Sequence, residues 1–232
     1  MKTYAIVLGG GSGSRMGAEL NKVLLPLRGV PAIVRAIAPF TGLCAGVVVV
    51  ARAGEAGLVR QLVDRYGLAR AVIAVVEGGA DRQDSVANGL AALPADAQGV
   101  LVHDGARALV TVPVIRRVLE SLEQRGSGVA AVPVTDTIKR ADASGRALET
   151  LPREPLRAMQ TPQGFAVQAL RDAHALAARD GTRATDDAAL LEHAGLPVYL
   201  CEGSRENIKL TTVFDLRVAE AILAARDEEE IP

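Results

Sequence analysis

Four glycines in five positions, Gly9, Gly10, Gly11 and Gly13, followed by Arg15 and Lys22, are the residues of this chain best suited to chemistry. A glycine-rich turn entered from an apolar run lets backbone amides approach an anion with no Cβ in the way. Two cations just beyond such a turn can meet the anion it holds. That combination suits phosphoryl or nucleotidyl transfer, whose transition state spreads charge over phosphate oxygens and is served by fixed cations. Two commoner phosphate loops fail on spacing. A P-loop needs Gly-x4-Gly-Lys-Ser/Thr, but the residues five places after the four glycines are Ser14, Arg15, Met16 and Ala18. A dinucleotide fingerprint needs a glycine where Met16 stands, and the second apolar run ends in Ala51-Arg52, with no acid for an adenosine ribose. On spacing alone the plain alternative stays open: a tight strand-to-helix turn beside two solvated side chains. Only four of the 26 basic residues are lysines, Lys2, Lys22, Lys139 and Lys209, a weak hint that lysine is kept where a compact ammonium is needed.

Alternating elements must position this loop. Short β-branched runs at Tyr4 to Leu8, Gly46 to Ala51, Ala71 to Val76, Val100 to His103 and Gly128 to Val132 read as strands, each nearly all apolar, as in a sheet covered on both faces. Amphipathic stretches at Ala32 to Pro39, Glu55 to Tyr66, Arg82 to Leu93 and Pro113 to Arg125 read as helices between them. The rhythm predicts an α/β fold: a Rossmann-like, mostly parallel twisted sheet flanked by helices. After Pro133 it breaks. Residues 134–160 carry two strand-like pieces around Asp142-Ala-Ser-Gly145, which predicts a projecting β-arm. Helices are expected again at Val167 to Arg179 and Asp186 to His193, strands at Val198 to Cys201 and Asn207 to Leu210, and a last helix from Val213 to about Arg226 before a frayed acidic tail. One domain spanning 1–232, with the arm attached, is the simplest partition.

Composition narrows the classes. Of 232 residues, 49% are hydrophobic and 23% charged, ordinary for a folded globular chain. A formal charge of −1, no Trp, three Phe and three Tyr leave little for a phosphate track or base stacking, so no nucleic-acid partner is expected. No apolar run is long enough to cross a bilayer and no signal peptide is visible, so a cytoplasmic location and no membrane partner are expected. Cys44 and Cys201 stand far apart, and His103, His174 and His193 lack zinc-ligand spacing; no protein metal site is expected.

Several ordered motifs carry a resemblance. Gly9 to Gly17 with Asn21-Lys-Val-Leu-Leu-Pro26 resembles the signature of sugar-nucleotide pyrophosphorylase type nucleotidyltransferases. Gly78-Gly-Ala-Asp-Arg-Gln-Asp-Ser85, Val100-Leu-Val-His-Asp-Gly-Ala-Arg107, Pro133-Val-Thr-Asp-Thr-Ile-Lys139, Thr161-Pro-Gln-Gly-Phe165, Ala184-Thr-Asp-Asp187 and Glu206-Asn-Ile-Lys-Leu-Thr211 narrow it. The whole set is similar to the 2-C-methyl-D-erythritol 4-phosphate cytidylyltransferase family, and covers nearly the whole chain.

The resemblance implies transfer of CMP from CTP to methylerythritol phosphate, with pyrophosphate released and Mg²⁺ bound mainly through the triphosphate. It implies that Arg15 and Lys22 stabilise charge at the α-phosphorus, and that Gly9, Gly10, Gly11 and Gly13 wrap the nucleotide. Gly79, Ala80 and Ser85 match positions that select cytosine and ribose; Asp104, Arg107 and Thr137 match substrate-hydroxyl contacts; Arg153, Thr161 and Lys209 match the pocket for the substrate phosphate. Arg15, Lys22, Arg153 and Lys209 form the implied catalytic set, and a homodimer is implied in which the arm carries Arg153 into the partner's site. Four positions depart from the pattern: Gly9-Gly10 where many relatives carry Ala-Ala, Ala80 where an acid is common, and Ala108 where proline is usual. A ribitol 5-phosphate cytidylyltransferase and a non-catalytic nucleotide-binding module are the rival readings.

Some residues admit a plainer role. Asp104 at a strand end either meets a ligand or caps the next helix. Arg82 and Asp84 are ligand contacts or a surface ion pair. Lys139 reads as an edge charge, Asp186 as a helix cap, and His103 as packing or hydrogen bonding, because a phosphate monoester is already anionic and needs no general base to attack.

Overall fold

The computed structural model describes residues 1–10 and 21–229. Seven strands form the central sheet and two pairs form small ribbons. In chain order the strands are β1 (Thr3–Gly9), β2 (Pro26–Leu27), β3 (Val30–Pro31), β4 (Val47–Ala51), β5 (Val72–Glu77), β6 (Gly99–Asp104), β7 (Ser127–Pro133), β8 (Ile138–Ala141), β9 (Ala147–Leu151), β10 (Arg157–Ala166) and β11 (Leu200–Glu202). The α-helices are α1 (Ala32–Ile37), α2 (Ala56–Arg65), α3 (Arg82–Ala91), α4 (Val112–Arg125), α5 (Val167–Asp180), α6 (Asp187–His193) and α7 (Val213–Glu229).

The sheet order is β11-β7-β10-β6-β1-β4-β5. β1 lies parallel to both β4 and β6, β4 to β5, and β7 to β11, whereas β10 runs antiparallel to β6 and β7. The fold is therefore the expected α/β arrangement with one reversed strand. Alternate residues of β1 serve opposite faces, as strand geometry requires. Ala5 and Val7 pack with Val49, Ile33, Val59 and Val118 on one side. Ile6 and Leu8 pack with Val50, Val86, Leu90, Leu170 and Leu190 on the other. Both faces are covered, so β1, β4 and β6 are buried throughout. A third cluster, with Leu27, Leu109, Leu210, Ala219 and Leu223, fixes α7 against the β2–β3 ribbon. The helices stop where a left-handed residue is supplied: Gly126 at φ +82° closes α4 and Gly181 at φ +69° closes α5.

Three expectations need correction. β10 runs through Gln160-Thr-Pro-Gln-Gly164, where the sequence pattern assigns no strand because Pro and Gly weaken strand propensity. Pro162 is accommodated because the pairing with β7 shifts register between Met159 and Gln163. Residues 157–160, assigned to the arm from sequence, thus lie in the central sheet. Residues Asn207 to Leu210, expected as a strand, have no regular structure; the Leu210 amide is satisfied by the Ala106 carbonyl instead. The acidic residues 227–229 continue α7.

β8 and β9 form an antiparallel ribbon outside the main sheet. Its turn is held by Asp142, whose Oδ1 accepts from the Ser144 amide and hydroxyl and from the Arg146 amide. Leu148 is 48% exposed on it. A two-stranded ribbon with so little buried apolar surface is marginal by itself.

Candidate functional site

β1 is the point where the chain reverses its direction of travel across the sheet: β4 and β5 follow on one side, β6 on the other. In open α/β sheets, ligands gather outside the carboxyl ends of strands at such a point. A cleft of about 800 Å³ opens there. Its lining comes from the residues just past each strand end: Gly10 after β1, Arg52 after β4, Gly78 to Arg82 after β5, and Asp104 ending β6. Lys22, Ser85, Lys209 and Thr211 complete it.

Lys22 reaches the cleft through Asn21. The Asn21 side chain is buried and donates from Nδ2 to the Gly9 carbonyl at 2.6 Å and to Glu55 Oε2 at 2.7 Å. Its Oδ1 accepts from the Val23 amide, capping a short 3₁₀ turn over Lys22–Leu24. The end of β1 and the segment bearing Lys22 are thereby tied together. The Lys22 ammonium donates to the Thr211 carbonyl at 2.5 Å. Gly11, Gly13 and Arg15 lie outside the described residues.

On the opposite wall, Ser85 organises the turn that leads into α3. Its hydroxyl donates to the Asp81 carbonyl at 2.7 Å and accepts from the Gly79 amide at 3.1 Å. Asp81 caps α3 by accepting from the Asp84 amide. Gly79 and Ala80 are exposed at the rim. A Cβ on Gly79 would collide with Asp84 Cβ, so the backbone approaches α3 as only glycine allows.

Charge in the cleft centres on Asp104. Lys209 Nζ lies 2.6 Å from its Oδ2 and Arg82 Nε 3.3 Å from its Oδ1. Burial pushes this carboxyl up, but Arg82 and Lys209 outweigh burial and hold it well below the usual carboxylate range. Asp104 is therefore an ionised acceptor in a cationic surround. Arg82 reaches further, placing Nη2 2.8 Å from Asp187 Oδ2, and His174 Nε2 lies 3.9 Å from Asp187 Oδ1. The Arg82–Asp187 contact is close but poorly aligned for hydrogen bonding, and both Asp187 oxygens lack an aligned donor. Asp187 is wholly buried, and burial pushes its carboxyl up. Asp84 pairs with Arg183 at the surface, and Asp186 caps α6 by accepting from the Ala189 amide.

His103 is buried and fully engaged. Its Nε2 meets the Arg107 carbonyl at 3.2 Å, an acceptor only, so that nitrogen carries the hydrogen. Nδ1 then accepts from the Thr161 hydroxyl at 3.0 Å, whose oxygen in turn accepts from the Asp104 amide. Burial pushes the ring down to about 4, so it is neutral at pH 7. The arrangement fits structural support of β6, not proton transfer.

Not every residue expected at the site faces this cleft. Lys22, Gly10, Gly79, Ala80, Ser85, Asp104 and Lys209 do. Gly9 ends β1 and is buried beneath it. Arg107 and Thr161, expected to contact substrate, are not among the residues lining this cleft. The Arg107 guanidinium donates to the carbonyls of Asn207 at 2.6 Å and Met159 at 3.2 Å, and the Thr161 hydroxyl is spent on His103 and Asp104. Both brace the cleft from behind. Thr137 and Arg153 are exposed near the arm, outside the cleft lining, with Arg153 Nη1 donating to the Thr135 carbonyl. Sequence reasoning missed Asn21, Asp187 and Asn207, all buried polar residues. The signal was present: each sits inside a quoted motif, within two residues of one that was singled out.

The family model described as 2-C-methyl-D-erythritol 4-phosphate cytidylyltransferase matches residues 3–225. The chain is 47% identical over 229 residues to a curated protein of that name from Prochlorococcus marinus (strain MIT 9313), covering 96% of this chain and 99% of the relative. It is 45% identical over 232 residues to one from Geobacillus thermodenitrificans (strain NG80-2), covering 99% and 100%. Among solved structures, that of 2-C-methyl-D-erythritol 4-phosphate cytidylyltransferase from Thermus thermophilus superposes with a TM-score of 0.78 at 34% identity, covering 95% of this chain and 98% of the other.

Proposed function

The chain belongs to the 2-C-methyl-D-erythritol 4-phosphate cytidylyltransferase family, and on that premise we propose how its cleft performs the reaction. The enzyme joins CTP and 2-C-methyl-D-erythritol 4-phosphate, giving 4-diphosphocytidyl-2-C-methyl-D-erythritol and pyrophosphate, a step of non-mevalonate isoprenoid precursor synthesis. The observation that carries the reading is the meeting of Lys22, Asp104 and Lys209 with the Gly78–Ser85 turn in one cleft at the strand ends.

In this reading CTP enters between the end of β1 and the β5–α3 turn. Gly79, Ala80 and Ser85 line the side for base and ribose, where the close backbone leaves room for a planar ring. Gly10, with Gly11 and Gly13, embraces the triphosphate above the buried Gly9. Lys22 exchanges the Thr211 carbonyl for a phosphate oxygen and, with Arg15, meets the charge that grows at the α-phosphorus as the substrate phosphate oxygen attacks in line and pyrophosphate leaves. Asp104 accepts from an alcohol hydroxyl, and Lys209 turns from Asp104 to the substrate phosphate. No proton need be removed from the attacking oxygen, which accords with a neutral, occupied His103.

Among the described residues no three metal-ligating side chains cluster. Among the described residues the carboxylates lining the cleft are Asp81, which caps α3, and Asp104, held by two cations. That donor set fits a Mg²⁺ carried by the CTP phosphates, where it would draw charge from the phosphoryl oxygens. Arg153 and Thr137, remote from the cleft lining, would serve a second subunit's cleft through the exposed β8–β9 ribbon, making the enzyme a homodimer. No described helix is long and apolar enough to cross a membrane. Cys44 and Cys201 are free thiols, in keeping with the reducing cytoplasm where we place the enzyme.

Pyrophosphate release with CTP and each of methylerythritol phosphate and ribitol 5-phosphate tests the reading. Turnover only with ribitol phosphate would overturn the substrate assignment. Lys22→Ala is expected to bind CTP and turn over at least about 100-fold more slowly, the cost of losing one donor to a developing charge; wild-type rates would remove Lys22 from its role.

A further inference from the structure

We infer that Asn207 is a positioning residue that sets where Lys209 stands, and so controls the grip on the substrate phosphate; the inference rests on the role proposed for Lys209. Lys209 lies in a segment, residues 203–211, without helix or strand to hold it. Its side chain is long and 45% exposed. The place of its ammonium therefore depends on what fixes the backbone beside it.

Asn207 does that fixing. It is wholly buried and donates from Nδ2 to the Thr161 carbonyl at 2.8 Å and to Gln160 Oε1 at 3.3 Å. Its own carbonyl accepts from Arg107 Nη1 at 2.6 Å. Gln160 closes the lock, donating to the Ser204 carbonyl at 2.8 Å and accepting from the Ser204 amide at 3.2 Å. The fit is tight enough that a Cβ on Gly203 would collide with Gln160 Oε1. Just beyond Lys209, the Leu210 amide donates to the Ala106 carbonyl at 2.8 Å. The loop is thus pinned on both sides of Lys209 to β10 and to the turn after β6. That turn follows directly on Asp104, which explains why Lys209 Nζ comes within 2.6 Å of it.

The residue type is specific. Both Nδ2 partners are acceptors, so an aspartate at 207 would set a carboxylate against two oxygens, and a serine would be too short to span them. A catalytic cation displaced by about 1 Å costs roughly 100-fold in rate, so the lock belongs to the reaction and not only to the fold.

A double-mutant cycle on the full-length enzyme separates the two. Asn207→Ala is expected to lower kcat/KM for methylerythritol phosphate roughly 10- to 100-fold, with CTP affinity by calorimetry unchanged within about twofold. In the Lys209→Ala background the same substitution is expected to cost less than about threefold, because no ammonium remains to be placed. An equal factor in both backgrounds, or a parallel loss of CTP affinity, would overturn the positioning role and leave Lys209's role standing. Wild-type turnover by Lys209→Ala would overturn both. Should Asn207→Ala not fold, Gln160→Met removes the acceptor from the other side and is expected to show the same dependence on Lys209; additivity there overturns the inference.

Discussion

Arg82→Met removes the cation that stands between Asp104 and the buried Asp187, and the structure sets the size of the effect. Asp104 keeps Lys209 at 2.6 Å, so its loss is small. Asp187, wholly buried, keeps only His174 at 3.9 Å. At the 2.8 Å of the present contact the gross attraction is about 6 kcal/mol for an effective dielectric near 20. That figure is not the penalty, because the folded protein can take up a proton instead. From the ordinary carboxyl value of 3.8, protonating Asp187 at pH 7 costs about 4 kcal/mol. Protonation is cheaper than leaving the charge unpaired, so it caps the loss. Burial already pushes Asp187 up, which places the true cost below the cap. The raised group binds a proton in the folded state that the unfolded chain releases, so the mutant loses stability as pH rises from 3.8 toward its folded value. At pH 5 the cap falls to about 1.6 kcal/mol. For a chain of this length the melting temperature should drop by up to about 8–16 °C at pH 7 and about 3–6 °C at pH 5. Adding Asp187→Asn should restore most of it, since no buried charge is left to pair. Melting followed by circular dichroism at both pH values is the assay. A penalty that is independent of pH, or no recovery in the double variant, would refute the reasoning.

His103 supplies a second test. Burial holds its folded value at about 4, below the ordinary 6.5, so stability due to the neutral ring is full above pH 6.5 and lost as pH falls toward 4, at up to about 1.4 kcal/mol per pH unit. Urea unfolding of wild type and His103→Gln across that range should show a shallower fall in the variant; parallel curves would contradict it. Gly79→Ala should weaken CTP binding by about tenfold or more, because Asp84 stands where the new carbon must go and has to shift. Gly10→Ala should bind as wild type, since among the described residues nothing lies nearer than 3.6 Å to the new carbon. Calorimetric titration with CTP compares the two, and equal affinities would refute the steric argument. Leu148→Asp on the arm should yield monomers by light scattering with little change in melting, while abolishing turnover; a dimer that persists would remove the ribbon from the interface.

The repeated apolar runs announced the β1, β4, β6 and β7 strands and their covering helices, because a strand buried on both faces is apolar at nearly every position, and the same apolar run marked β5 at the sheet edge. β10 escaped notice because Pro162 and Gly164 are poor strand residues, tolerated only through a register shift that long-range pairing with β7 supplies. The segment from Asn207 to Leu210 looked like a strand because it is apolar on alternate residues, yet its backbone is met by the Arg107 guanidinium, the Ala106 carbonyl and local turn bonds in place of a ladder.

At the site, the glycine turn, Lys22, Asp104 and Lys209 were visible in sequence as chemical types at motif spacing. Sequence could not say that Asp104 is flanked by Arg82 and Lys209, residues 22 and 105 positions away in the chain. Nor could it say that Arg107 and Thr161 hydrogen-bond to Asn207, Met159, His103 and Asp104, since an arginine or threonine in a motif looks the same whether it faces a cleft or the interior. Local pattern therefore determined the class of fold and the kind of chemistry, which depend on residue type and period. Only the tertiary structure decided which charges neutralise one another and which polar groups support from behind, because burial and pairing are properties of neighbours that the chain brings together from afar.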